Sequence, residues 1–457
     1  MKYLNTNGAN NGKDELVKSL YRFAAENNRL DPYLFDYYGV KRGLRNNDGT
    51  GVLVGLTQIG DVHGYNMING KKVPAEGRLT YRGVNVEDIV ENCQAEGRYG
   101  FEEVCFLLLF GKLPTKAELD TFTHILNTSR KLPDSFTEDV ILKWPSKNIM
   151  NKLARCILSC YSYEENPDDM SVDKVLSRCI DLVAQVPVFV AHSYMAKRHY
   201  VDNLSLHIHH PKEDQSTAES LLHMIRPDGQ FTRTEAEILD LALILHAEHG
   251  GGNNSTFVTR VATSSGTDIY SAIAAGVGAL KGPKHGGANI KVMEMIEDLK
   301  ANVPNWENEN AVREYLIKLL KKEAFDRSGL VYGMGHAVYT LSDPRAVLLK
   351  KEAKKLAELY NMENEFYLYD TIERLTPQLF AELRGGKELC ANVDLYSGFV
   401  YKMLNIPMDL YTAIFAVARV PGWCAHALEE LISGGRIIRP AYQTLVQIKD
   451  YKPLNER

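Results

Sequence analysis

At 457 residues the chain is long enough for two to three domains and a large core. Its 45% hydrophobic and 24% charged residues match an ordinary soluble globular protein. A formal net charge of −5 argues against a dedicated binder of nucleic acid or anionic membrane, so an anionic substrate must be held by a local cluster of cations.

In chain order, MKYLNTNGANNGKDEL lacks a secretory apolar core and a transit-peptide pattern, and NTNGANNG reads as a frayed terminus. A β-like region lies near 50–83, where TGVLVGLTQIGDV and RLTYRG flank the turn-rich INGKK, predicting small strands or a hairpin. Thr234 and Glu237 form a predicted capping box opening TEAEILDLALILHAEH, apolar enough for a buried helix. DIYSAIAAGVGALKG comes next as a helix with an Ala/Gly face, and NIKVMEMIEDL as another after the turn at Gly286–Gly287. Asp343 as cap and Pro344 as first helical residue start PRAVLLKKEAKKLAEL. DLYTAIFAVAR runs into Pro421–Gly422. Arg419 and Pro421 interrupt that apolar stretch, and no segment approaches the ~20 apolar residues of a membrane span. No repeat, low-complexity tract or linker marks a domain boundary.

The seven cysteines (Cys93, Cys105, Cys156, Cys160, Cys179, Cys390 and Cys424) are scattered, with no C-x-x-C. Cys156 and Cys160 lie four apart on a predicted helix, but no second pair completes a metal site. They read as reduced, buried thiols, which suits a cytoplasmic location.

LHAEHGGGN (245–253) sets two histidines beside three glycines. A zinc protease needs H-E-x-x-H, which occurs nowhere. HIHHP (207–211) reads as a solvated loop rather than a ligand set. His249 with Gly250–Gly252 matches an esterase oxyanion tetrad, but no G-x-S-x-G elbow accompanies it. Phosphate-loop patterns are also absent. Other strings offer acid/base and carboxylate-binding chemistry instead. GPKHGGAN puts His285 between glycines, where backbone can approach a ligand closely. GMGHAVYTLSDPRA carries His336 and, in the first turn of the next helix, Arg345, well placed for a carboxylate. ANVDLYSG offers Asp394 as a general base. Arg419 ends an apolar helix, where an unpaired charge is expensive, and Arg439 precedes Pro440, which biases it to extended backbone. Together these point to an acid/base enzyme acting on a small polyanionic carboxylate.

In this order LHAEHGGGN, GPKHGGAN, GMGHAVYTLSDPRA, ANVDLYSG, FAVAR and RIIRP, with GRLTYRG upstream, resemble the citrate/2-methylcitrate synthase family over roughly residues 50–440. The resemblance implies a mainly α fold with a large domain, 1–291 plus 399–457, and a small domain, 292–398, that closes over the substrates. The implied reaction condenses acetyl-CoA, a co-substrate, with oxaloacetate and hydrolyses the thioester to citrate and CoA, with no cofactor and no metal. Asp394 would abstract the acetyl proton, His285 would stabilise the enolate, and His336 would polarise the ketone and protonate the alkoxide. His249, His336, Arg345, Arg419 and Arg439 would hold oxaloacetate, the last arginine coming from the partner of a homodimer. Leu330, Val331, Tyr332, Gly333, Met334 and Gly335 would recognise the CoA adenine, Lys387 would lie near its phosphates, and Phe415 would pack by the acyl site. Gly250 stands where the family commonly carries Glu or Gln, and Thr340 where a CoA-contacting cation is common. The N-terminal region does not resemble the small β-domain of the NADH-regulated hexameric branch, which favours a simple dimer. A 2-methylcitrate synthase using propionyl-CoA is the nearest alternative. The citryl-CoA module of ATP-citrate lyase would need an ATP-binding portion that this chain does not show. A non-catalytic dicarboxylate or CoA sensor is opposed by the presence of Asp394 and His285.

Overall fold

The computed structural model describes residues 10–46, 49–385 and 388–457. Contacts divide the chain into an N-terminal unit reaching Val54 and a main unit, Gly55–Arg457. In the N-terminal unit, α1 (Asn10–Asn27) precedes a helical turn at Tyr33–Tyr37 and a bridge between Arg45 and Gly51. Of the expected frayed NTNGANNG, residues 5–9 lie outside the described residues, while Asn10 opens α1.

The main unit begins with a three-stranded antiparallel sheet in the order β1 (Gly60–Ile68), β2 (Lys71–Tyr81), β3 (Val84–Asn85). Asn69 and Gly70 both have positive φ (51° and 72°), giving the two-residue type I′ connection that matches strand twist. The hairpin expected at INGKK is therefore present. Its first strand, however, starts at Gly60, and the apolar run at 50–56 forms no strand. Pairing with a neighbouring strand decides the matter, not apolarity alone.

Beyond the sheet the main unit is mostly helix, as expected. The elements that build the site are α2 (Val172–Tyr200), α3 (Arg233–His246), α4 (Asn254–Thr263), α5 (Ile269–Leu280), α6 (Ala288–Asn302), α7 (Pro344–Tyr360), α8 (Glu363–Arg384), α9 (Asp394–Met403) and α10 (Tyr411–Ile432). The box opening α3 is Thr232 with Glu235, not Thr234 with Glu237. Thr234 already lies in the first turn, and Glu237 pairs with Arg233 at 2.7 Å one turn back. Asp343 caps α7 with Pro344 at its start, as predicted. Contrary to the sequence expectation, α2 is long and apolar enough to cross a membrane, but 72% of its apolar window is buried inside the protein. It is a core helix.

Helix α10 is the hub, touching α2, α3, α4, α5 and α6. Pro421 and Gly422 do not end it; the helix continues to Ile432. Every residue from Tyr411 to Leu428 is buried, so packing outweighs the propensity cost of proline and glycine. A Cβ at position 422 would sit 2.4 Å from the Ala247 carbonyl oxygen, so glycine here lets α10 approach the end of α3. All seven cysteines are buried free thiols.

Candidate active site

LHAEHGGGN carries the end of α3 into the loop that opens α4. Glu248 is fully buried, and its Oε1 accepts the Gly250 N–H and pairs with His426 Nε2 at 3.0 Å. Arg260 donates to His426 Nδ1 at 2.9 Å, so the ring proton sits on Nε2 and points at Glu248. Burial pushes the Glu248 carboxyl up, but His426, Arg419 and the Gly250 N–H together hold it below its ordinary value. Gly250 has φ +80°, a conformation side chains rarely adopt, and a Cβ there would meet Val62 Cγ2 at 3.3 Å. The glycine is thus required by the backbone turn, and Glu248 supplies the hydrogen bonding beside it.

Around this loop stand His246, His336, Arg345, Phe415 and Arg419. His249 is 9% exposed, its Nε2 has no hydrogen-bond partner among the described residues, and its ring lies 5.1 Å from that of His336. Burial, then Arg345 and His336, hold its pKa well below the ordinary histidine value. His246 packs against Phe415 at 4.5 Å, as expected for helix packing. Arg419 is fully buried: Nε donates to the His246 carbonyl at 2.6 Å, while Nη1 and Nη2 have no partner among the described residues. Burial lowers its pKa to about 10, with Glu248 acting against that fall. Arg345 is also buried, clamped by Asp343 through Nε (3.0 Å) and Nη2 (2.7 Å). Burial pulls its pKa down, but the Asp343 carboxylate more than compensates.

Two histidines have tautomers fixed by backbone donors. His336 Nδ1 accepts the N–H groups of Val338 (3.0 Å) and Tyr339 (3.1 Å), leaving the proton on Nε2. His285 Nε2 accepts the Ser255 N–H at 3.3 Å, leaving the proton on Nδ1. Trp423 Nε1 holds the Ser255 hydroxyl at 3.2 Å. Burial, then Arg419, lowers the His285 pKa to about 4, so the ring is neutral at physiological pH. Phe415 lies 6.4 Å from His285, with the Arg419 guanidinium 4.9 Å above its ring. Asp394 opens α9, its N–H bonded to Asn392 Oδ1; burial raises its pKa to about 6, with Arg345 acting against it.

The Leu330–Gly335 segment is zipped to the segment before Asp394: Gly335 N–H bonds the Cys390 carbonyl at 2.7 Å, and Asn392 N–H the Gly333 carbonyl at 2.9 Å. It borders a cavity of about 300 Å³ lined also by Lys72, His336, Tyr339, Thr340 and Arg384. Lys387 lies outside the described residues. Arg439 is exposed in the C-terminal segment that follows α10. In HIHHP, His209 Nε2 pairs with the Pro227 carbonyl at 3.0 Å. Sequence reasoning missed Glu248, His426, Ser255 and Tyr339. Glu248 and Tyr339 carried a signal, each being inside a motif already singled out.

The family model "Citrate synthase, C-terminal domain" matches residues 46–441. The chain belongs to the citrate synthase family. It is an enzyme of that family, similar to the citrate synthase of Synechocystis sp. (34% identity, covering 84% of this chain and 89% of the relative). It is also similar to 2-methylcitrate synthase 1 of Corynebacterium glutamicum (33% identity, 85% and 94%). Among solved structures, it resembles the citrate synthase of Thermoplasma acidophilum in a ternary complex with carboxymethyl coenzyme A and oxaloacetate (TM-score 0.74, 26% identity, 91% and 99%). The mainly helical architecture is therefore that of the citrate synthases.

Proposed function

We propose that the chain condenses acetyl-CoA with oxaloacetate and hydrolyses citryl-CoA to citrate and CoA. One observation carries this reading: Arg419 is a fully buried guanidinium whose two Nη groups, like His249 Nε2 in the same cluster, have no partner among the described residues. Such a charge is costly unless an anion meets it, and a dicarboxylate does so bidentately.

Asp394 takes a proton from the acetyl methyl carbon. The His285 Nδ1–H donates to the thioester oxygen as enolate charge develops; loss of such a donor typically costs ~10²–10³ in rate. The enolate carbon attacks the ketone carbon of oxaloacetate. The His336 Nε2–H polarises that ketone and protonates the new alkoxide, and water then cleaves the citryl thioester. His249, Arg345 and Arg419 hold the carboxylates, with Arg439 supplied by the partner of a homodimer. Leu330–Gly335 receives the CoA adenine, and Phe415 shapes the acyl pocket. Residues 292–398 form the smaller domain. They contribute His336, Arg345 and Asp394, whereas His249, His285 and Arg419 lie outside them, so closure assembles the site. The buried free thiols suit a reducing cytoplasm.

The test is product formation from oxaloacetate with acetyl-CoA or propionyl-CoA. Citrate from acetyl-CoA with the higher kcat/KM is expected. A preference for propionyl-CoA would turn the reading to 2-methylcitrate synthase, and no product from either would overturn it.

A further inference from the structure

We propose that the β1–β2 hairpin is a clasp that positions the loop carrying His336 and, at its end, the start of α7 with Arg345, with Thr340 and Ser342 as its positioning residues. This rests on the proposed function. The ladder between the two strands is broken at one place, between the pairs His63–Arg78 and Tyr65–Pro74. There Gly64 faces Ala75, Glu76 and Gly77 without a regular partner, and a bulge of this kind re-aims backbone groups. Those groups are the ones that grip the loop. Thr340 is 8% exposed; its hydroxyl accepts the Ala75 N–H at 3.2 Å and donates to the Gly64 carbonyl. Two residues on, the Ser342 hydroxyl accepts the Gly77 N–H at 3.0 Å and donates to the Glu76 carboxylate.

The approach is too close for side chains on the hairpin. A Cβ at Gly64 would lie 2.6 Å from Tyr339 Cα, and one at Gly77 2.2 Å from the Ser342 carbonyl oxygen. Each grip is one step from a substrate group. Thr340 fixes Tyr339, whose N–H holds His336 Nδ1. Ser342 fixes Asp343, whose carboxylate holds Arg345. The same hairpin meets the other substrate segment, because Gly60 leaves room for Glu248 and Val62 stands against Gly250. Thr340 therefore acts on oxaloacetate through the loop, although a CoA-contacting cation is common at its position.

The experiment measures oxaloacetate-dependent thiol release from acetyl-CoA for the parent, Thr340→Val, Thr340→Ser and Ser342→Ala, each substrate varied in turn. Leaving the Gly64 carbonyl and Ala75 N–H without their partner should raise the oxaloacetate KM of Thr340→Val by about 10-fold and lower kcat. The acetyl-CoA KM should stay within about 3-fold. Thr340→Ser, which keeps the hydroxyl, should return to near the parent, and Ser342→Ala should move the oxaloacetate KM in the same direction by a smaller factor. An unchanged oxaloacetate KM in Thr340→Val, a change confined to acetyl-CoA, or no rescue by serine would overturn the clasp. Should Thr340→Val fail to fold, an unchanged oxaloacetate KM in folded Ser342→Ala overturns it equally. A parent that releases no thiol overturns the proposed function and this inference with it, whereas an active parent with unaffected variants overturns the clasp alone.

Discussion

A carboxylate that must take a proton from carbon has to be a stronger base than an ordinary aspartate. Burial at the start of α9 raises Asp394 to about 6, against 3.8 ordinarily, so it is both more basic and still ionised at neutral pH. The cost falls on stability. Between about pH 4 and 6 the folded chain binds more protons at this residue than the unfolded one, so its contribution declines as pH rises through that window and stays lost above it. Asp394→Asn should therefore raise the unfolding free energy at pH 7 by on the order of 1–3 kcal/mol while nearly abolishing turnover. Thermal melts of the two proteins at pH 4 and pH 7 check this; an equal difference at both pH values contradicts it. Arg419 makes the complementary case. Oxaloacetate at 100 times its Kd should stabilise the parent by about 2.7 kcal/mol. Arg419→Met should remove that stabilisation, and an undiminished shift in a thermal titration would place the dicarboxylate elsewhere.

At the level of elements, α10 shows where sequence patterns run out. Pro421–Gly422 is locally a helix stop, and only burial on all sides through Leu428 reveals why the helix continues. Gly422→Ala would drive a Cβ into the Ala247 carbonyl and the Glu248 carboxylate. It should cost about 1–3 kcal/mol in denaturant unfolding and weaken oxaloacetate binding. A variant as stable as the parent would show that α10 and the end of α3 can part freely. The strings around His249, His285, His336, Arg345, Asp394 and Arg419 were legible because each packs its chemistry into a short contiguous motif. The groups that orient them were not. His426 reaches Glu248 across 178 residues, and Thr340 reaches Gly64 across 276, and no local pattern marks either pairing.

For the molecule as a whole, the family and the helical architecture were readable from the order of motifs, whereas the assembly is not written in one chain. If Arg439 acts across a homodimer, Asp394→Asn and Arg439→Ala should complement each other. Random reassortment leaves one intact site in each mixed dimer, or about a quarter of parental activity. Mixed extracts no more active than the separate variants would put Arg439 in its own subunit's site or outside the chemistry. The proposed chemistry is tested most directly by oxaloacetate-dependent release of free thiol from acetyl-CoA, measured from pH 5 to 8 in the parent and in Asp394→Asn. The parental rate should climb through a midpoint near pH 6, and the variant should be at least ~10³-fold slower with no such rise. Thiol release that needs no oxaloacetate, or a variant that keeps the parental rate and pH profile, would contradict it.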